Sequence, residues 1–224
     1  MQMLQKFEDL PLSPEIQRGI KDLEFEELFP IQAQAIMPLL EGKDVIGQAQ
    51  TGTGKTAAFG VPMLERLQRN DRHVQGLVLV PTRELAIQVA DHITHFGKYT
   101  PLRAIPIYGG EPIQKQIFAL DRGAQVVVGT PGRVIDHLKR GTLRLNTVKV
   151  VVLDEADRML DMGFRDDIDY ILSRVPVDRQ ISLFSATIDS SVMAISHRYM
   201  TCPEKILVSK DEIALPQIIQ LYTV

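Results

Sequence analysis

Residues 49–56 read Ala-Gln-Thr-Gly-Thr-Gly-Lys-Thr, between the apolar run Asp44-Val45-Ile46-Gly47 and a stretch of helical character. Gly52 and Gly54 let the backbone curl so that successive N–H groups converge on anionic oxygens, and the helix that follows adds its positive end. Lys55 can set an ammonium among β- and γ-phosphate oxygens, while the Thr56 hydroxyl suits a Mg²⁺ that bridges them. The general pattern opens with Gly where this chain has Ala49, a mismatch at one position. A loop of this kind needs a strand before it and a helix after it, which commits the chain to an α/β architecture; an ordinary Gly-rich turn capping a helix is the alternative.

Short apolar runs alternate with amphipathic stretches along most of the 224 residues, the pattern of βα units stacked into a parallel sheet. The strand candidates are Val45–Gly47, Gly76–Val80, Ala104–Tyr108, Gln125–Gly129, Val148–Leu153, Ile181–Ser185 and Lys205–Val208. Helices are expected over Lys55–Gln68, Arg83–Phe96, Pro112–Leu120, Arg133–Lys139, Phe164–Arg174 and Ser190–Tyr199, with Pro62 kinking or interrupting the first. Ahead of them, Ser13-Pro14-Glu15 looks like an N-cap with proline at the first helical position, and a further helix is expected over Ile31–Leu40. Residues 1–43 read as an N-terminal extension, 44–208 as the phosphate-binding domain, and 209–224 as the start of a linker, ending as if cut off rather than finished.

With 45% hydrophobic and 24% charged residues the chain can bury a full core, and a net charge of -3 leaves nucleic acid open as a partner, because a local patch needs few Arg and Lys. Cys202 is the only cysteine, which excludes an intrachain disulfide framework and a cysteine zinc cluster. The N-terminal residues carry no signal-peptide pattern, and no run of 18 apolar residues occurs, so a cytoplasmic, non-membrane, monomeric protein is expected.

A second signal turns the phosphate site toward hydrolysis. Val150-Val151-Val152-Leu153 suits a central buried strand and delivers Asp154-Glu155-Ala156-Asp157 at its C-terminal end, where ligands sit in open α/β sheets. Asp154 can hold Mg²⁺, directly or through water, and Glu155 can orient and deprotonate an attacking water. Taken alone, the same run could be a solvated helix start with carboxylates favourably placed at its N-terminus.

Gln32, Ala49 to Thr56, Pro81-Thr82-Arg83-Glu84-Leu85-Ala86, Gly109-Gly110, Thr130-Pro131-Gly132-Arg133, Asp154 to Asp157 and Ser185-Ala186-Thr187 stand in the order and approximate spacing of the motifs of the DEAD-box RNA helicases, a family this sequence resembles from Phe7 to its end. The resemblance implies a RecA-like P-loop NTPase domain, a mostly parallel sheet flanked by helices on both faces, that binds ATP with Mg²⁺ and grips RNA without regard to sequence. It assigns nucleotide binding to Phe7, Phe25, Gln32, Ala49, Gln50, Thr51, Gly52, Thr53, Gly54, Lys55 and Thr56, with Lys55, Asp154 and Glu155 catalytic and Thr56 and Asp154 on the metal. Gln32 would read adenine by accepting from its exocyclic amine and donating to N7. Phe7, 17 positions before Glu24, would stack on the base; by itself Phe7 reads as core.

By the same resemblance, Pro81, Thr82, Arg83, Gly110, Thr130, Gly132 and Arg133 would line an RNA groove with hydroxyls, guanidiniums and backbone N–H groups, which bind phosphate and sugar and carry little base information. Asp157, Ser185 and Thr187 would couple the nucleotide site to the RNA-gripping state. The family's Gly-aromatic-x-x-Pro-Thr/Ser run stands here as Glu24-Phe25-Glu26-Glu27-Leu28-Phe29, without the glycine, proline or hydroxyl. The His-Arg-x-Gly-Arg-x-x-Arg motif of the family's second RecA-like domain is also missing, so that domain is expected as a partner within a longer chain. A stand-alone nucleotidase and a non-catalytic interaction module remain as alternatives.

Overall fold

The computed structural model describes residues 5–50 and 52–208. Thr51, expected in the nucleotide loop, and the expected linker over 209–224 lie outside the described residues. Seven strands form one parallel sheet: β1 (Val45–Gln48), β2 (Gly76–Leu79), β3 (Ala104–Ile107), β4 (Val126–Gly129), β5 (Val150–Asp154), β6 (Gln180–Ser185) and β7 (Glu204–Leu207), in the order β3-β4-β2-β5-β6-β1-β7. Strands β2, β4, β5 and β6 are buried along their whole length, the expected result for apolar runs that pack against helices on both faces.

The helices are α1 (Pro14–Lys21), α2 (Pro30–Leu40), α3 (Lys55–Arg66), α4 (Arg83–Phe96), α5 (Ile113–Asp121), α6 (Pro131–Arg140), α7 (Ala156–Asp161), α8 (Arg165–Leu172) and α9 (Ser190–Tyr199). Two apolar clusters lie on opposite sides of the sheet. One joins α1–α4 to Val78, Val126, Val152 and Phe184; the other joins α6–α9 to Leu77, Val127, Val151 and Leu183. Neighbouring residues of a strand thus serve opposite layers, as side-chain alternation requires. Among the described residues no helix is long and apolar enough to cross a membrane.

Three local features add to the expectations. Helix α3 is not interrupted at Pro62 and continues to Arg66, because every residue from Ala57 to Leu64 is buried and this packing outweighs the loss of one helical hydrogen bond. Ser13 occupies the N-cap of α1, but its side chain makes no capping bond: its Oγ and backbone N both donate to Glu65 Oε2, at 2.8 and 3.0 Å, pinning α1 to α3. The acidic run after β5 starts a separate short helix, α7, which a left-handed Gly163 (φ 84°) divides from α8.

Polar side chains stitch together the end of the sheet where strands begin. Asp44, largely buried, accepts from Ile181 N through Oδ1 and from Thr201 N through Oδ2, both at 2.7 Å. Gln180 Nε2 donates to the carbonyls of Leu39 and Lys43 at 3.0 and 2.6 Å. These bonds set β1, β6 and β7 in register before any ligand is considered. Asp44→Ala would leave two amides without an acceptor and is expected to lower stability by about 3 kcal/mol in denaturant unfolding, with Asp44→Asn costing less.

Candidate functional site

Everything chemically distinctive gathers where the strands end. The loop after β1 turns through Gly52 and Gly54, both left-handed (φ 84° and 83°), and Gly54 is the N-cap of α3. A Cβ at Gly54 would collide with the Gln32 amide and lie 2.9 Å from Phe29 Cδ2, so glycine is required there by space as well as by φ. Thr53 Oγ1 braces the turn by donating to Gln50 O at 2.7 Å, and Ala49 N donates to Ser185 O at 3.0 Å, joining the loop to β6.

Lys55 is the first residue of α3 and is 7% exposed. Its ammonium donates to Ala49 O at 3.2 Å and stands 3.9 Å from Asp154 Oδ1. Asp154, at the end of β5, is almost wholly buried, and burial pushes its carboxyl up to about 6 against the opposing pull of Lys55. Such a group gains from a cation at its free oxygen. Glu155 follows with a left-handed backbone (φ 53°), an uncommon conformation for a residue with a Cβ, and its N–H donates to Asp154 Oδ1 at 3.0 Å. Arg158 Nη1 holds Glu155 Oε2 at 3.1 Å.

Asp157 is tied to the end of β6. Its Oδ2 accepts from Thr187 N and Oγ1, both at 2.9 Å, while its own N–H donates to Ser185 Oγ at 3.2 Å. Burial alone would raise the Asp157 carboxyl, but these bonds and one from Arg158 N hold it below the usual carboxylate value.

A cavity of about 290 Å³ opens beside the loop, walled by Gly54, Lys55, Thr56, Asp154 and Glu155 on one side and by Phe25, Phe29 and helix α4 on the other. The α4 wall consists of Leu85, Gln88, Val89, His92 and Phe96, which the sequence reading left without a role. Their spacing at i, i+3, i+4, i+7 and i+11 marks one helix face, a signal present in the sequence, although nothing in it says that this face meets the loop.

The two residues expected at the base are both buried. Phe7 is 2% exposed and is not among the cavity walls; its ring packs 5.9 Å from Phe25, whose ring lies 6.2 Å from Phe96. Apolar burial thus claims Phe7 for the core. Gln32 is fully buried, with Oε1 accepting from Phe29 N at 2.9 Å and Nε2 donating to Gly54 O at 3.0 Å. It locks the start of α2 to the loop through one N–H and one lone pair of its amide and, like Phe7, is not among the cavity walls. At Glu24, where the resemblance expects glycine, the backbone is still left-handed (φ 57°).

Among the RNA candidates, Thr82 caps α4 by accepting from Leu85 N at 3.3 Å, and Pro81 is buried. Arg83 is exposed, lies 4.9 Å over the Tyr108 ring and sits beside left-handed Gly110. Gly132 is exposed at the start of α6, and Thr130 N donates to Ile107 O at 3.0 Å. Arg133 differs from expectation: its side chain is 13% exposed, and Nη1 donates to Glu111 O at 3.0 Å and Gln116 Oε1 at 3.3 Å. The guanidinium therefore braces the 109–111 loop against α6. Buried His137 completes this network, its ring nitrogens 2.9 Å from Thr142 Oγ1 and 3.2 Å from Gln116 Oε1.

The family model described as DEAD/DEAH box helicase matches residues 29–195. Curated relatives include a DEAD-box ATP-dependent RNA helicase CshA from Geobacillus kaustophilus, 53% identical over 96% of this chain and 46% of its own length. The protein of that description from Bacillus subtilis is 50% identical over 96% of this chain and 44% of its own. The chain thus spans just under half the length of these relatives. A solved structure of a DEAD box protein from the hyperthermophile Methanococcus jannaschii superposes with a TM-score of 0.88 at 42% identity, over 92% of this chain and 56% of that one.

Two measurements follow from this geometry. Burial, with the Arg133 charge nearby, pushes His137 down from 6.5 to about 4. An unfolded chain therefore binds a proton that the folded one refuses, so this stabilisation is complete above about pH 6.5 and is lost as pH falls toward 4. Unfolding curves should lose about 2 kcal/mol between pH 7 and 4.5 from this group, a loss absent in His137→Gln. Separately, Glu24→Gly should raise stability by about 1 kcal/mol by relieving the left-handed residue, and an unchanged or lowered melting point would contradict that.

Proposed function

This chain belongs to the DEAD/DEAH box helicase family, and from that premise we propose that it is the ATP-binding half of an RNA helicase that hydrolyses ATP to separate short RNA duplexes. The observation that carries this reading is the meeting of Lys55, Gly54, Asp154 and Glu155 around one cavity, with Asp157 bonded to Ser185 and Thr187 at its edge.

The N–H groups of the loop and the N-terminal end of α3 cradle the phosphates. Lys55 exchanges the Ala49 carbonyl for β- and γ-phosphate oxygens. The donor set fits Mg²⁺: hard oxygens from the Thr56 hydroxyl and the buried, cation-seeking carboxylate of Asp154, with the phosphates supplying the rest. Among the described residues no group of three or more His, Cys, Asp and Glu could form a self-sufficient metal cage, which is the usual situation for a metal that arrives with its nucleotide. A Mg²⁺ held by Thr56 and Asp154 would supply charge neutralisation to the transferring phosphoryl group. Glu155, steadied by Arg158, takes the proton of a water as that water's oxygen bonds to the γ-phosphorus and the bond to the β-bridging oxygen breaks, releasing ADP and phosphate. Gln32 favours adenine through the amide valences left after its bonds to Phe29 and Gly54.

The RNA backbone is received by Thr82, Arg83, Gly110, Thr130 and Gly132, positioned by the Arg133 and Gln116 brace. These are sugar and phosphate contacts, so binding is sequence-independent. A second RecA-like domain, beyond residues 209–224, completes the groove and supplies arginines to the transition state. The protein acts in the cytoplasm as a monomer.

In the full-length protein, Glu155→Gln is expected to keep Mg-ATP binding while RNA-stimulated hydrolysis falls by roughly 10²-fold or more. Lys55→Ala should instead weaken nucleotide binding itself. Near-normal turnover by Glu155→Gln would move the water-activating role to another residue.

A further inference from the structure

The nucleotide and RNA candidates lie where strands end, but the opposite end of the sheet carries a concentration of charge of its own. Two adjoining cavities, of about 480 and 320 Å³, open there and share Asn146 as a wall. Arg66, Lys149 and Arg179 wall the first, Arg144 and Arg174 the second, and Asp178 is the one carboxylate among the described residues lining either. In a chain with 25 Lys and Arg against 28 Asp and Glu, so one-signed a surface is a local exception, because solvated faces ordinarily intersperse the two signs. Register sets two of the cations side by side: Val150 pairs with Gln180, so Lys149 and Arg179 stand just before neighbouring strands.

These charges are held in place without being neutralised. None of the five forms an ion pair among the described residues. Arg66 Nη1 donates to Leu40 O at 3.2 Å, and its guanidinium lies so close to left-handed Gly42 (φ 87°) that a Cβ there would come within 2.9 Å of it. Arg179 donates through Nη1 to Val177 O at 2.8 Å and through Nη2 to Tyr199 O at 3.3 Å. Arg174 lies 4.9 Å over the Tyr170 ring and donates to its hydroxyl oxygen at 3.3 Å. Carbonyls and an aromatic face orient a guanidinium but leave its charge to be met from outside. The Arg144 and Lys149 side chains make no hydrogen bond among the described residues, and Lys149 is the least of the influences on Asp71, whose carboxyl is lowered chiefly by bonds from His73.

We propose that this surface is a second contact for the RNA backbone, receiving a stretch of single strand that has left the groove at the other end of the sheet; the choice of RNA rests on the reading above. Cations spread over two adjoining openings suit a chain of phosphates, whereas one compact anion needs them to converge on a single enclosed pocket. Guanidiniums and an ammonium that meet phosphates read no base, so this contact is as indifferent to sequence as the first. It raises the effective concentration of a long strand at the groove, the action of a tether.

The test uses the full-length wild type, R144Q/K149Q and R144K/K149R, each saturated with a non-hydrolysable Mg-ATP analogue. Two single strands are titrated by fluorescence anisotropy at several salt concentrations, one about 10 nucleotides long, enough for a single groove, and one about four times longer. R144Q/K149Q should bind the longer strand about 5- to 50-fold more weakly, with a salt slope smaller by about 1.4, and should bind the shorter strand as the wild type does; R144K/K149R should match the wild type on both. Wild-type affinity of R144Q/K149Q for the longer strand, an equal loss on the shorter one, or an equal loss in R144K/K149R would overturn the second contact. So would tripolyphosphate or a polyglutamate peptide that binds through Arg144 and Lys149 more tightly than the longer strand. A wild type that binds neither strand would instead overturn the RNA reading, and the second contact with it.

Discussion

Because all seven strands run in the same direction, every connection that leaves a strand does so on one edge of the sheet, and the loops after β1, β2, β3, β4, β5 and β6 are forced into company there. Parallel pairing requires a crossover for each strand, and the crossover helices cover both faces. The site is thus a consequence of register. Gln48 pairs with Ser185 and Asp154 with Phe184, so the ends of β1, β5 and β6 fall at one level, which lets Ala49 bond to Ser185 and Lys55 approach Asp154. Slipping one strand by a residue would turn its buried side chains to the other face and separate these groups at once.

The two ends of the sheet treat buried polarity differently. Where strands begin, Asp44, Gln75, Gln125 and Gln180 are buried with their polar atoms bonded to backbone groups of entering chain segments. These residues are satisfied and serve register. Where strands end, Asp154 is buried with a raised carboxyl and an ammonium 3.9 Å away, beyond hydrogen-bonding reach. Glu155 and Gly54 hold left-handed backbones there. The incompletely paired buried charge thus lies on the edge that the loops share, as expected where a protein keeps its ligand's place.

How much of this was legible in the sequence depended on whether the signal was local. The seven strands announced themselves as short apolar runs, and the phosphate loop as glycines at positions whose left-handed φ values disfavour a side chain. The link between Asp157 and Thr187 followed from motifs in register. What sequence could not convey was which way an amphipathic or bifunctional side chain would turn. Arg133 has the same guanidinium as Arg83, yet one braces a loop and the other faces solvent, a difference decided by the Gln116 and Glu111 acceptors beneath α6. Pro62 likewise reads as a helix breaker locally, and only the burial of the surrounding residues reverses that.

The segment from Glu24 to Phe29 shows the same limit from another side. Glu24 stands where the family's motif has glycine, and its own backbone path is left-handed, with φ 57°. That path is set by its surroundings: Phe7 N bonds to Glu26 O at 3.0 Å, Leu28 N to Gln5 O at 2.8 Å, and Phe25 is wedged between two rings. When tertiary contacts over-determine a backbone, a local residue preference becomes a cost in stability rather than a change of shape. Departures at 24 and 29 therefore have separate meanings. Position 24 affects how firmly the segment is held, and position 29 affects what the segment presents at the cavity, because Phe29 walls it together with Phe25 and is the more exposed of the two.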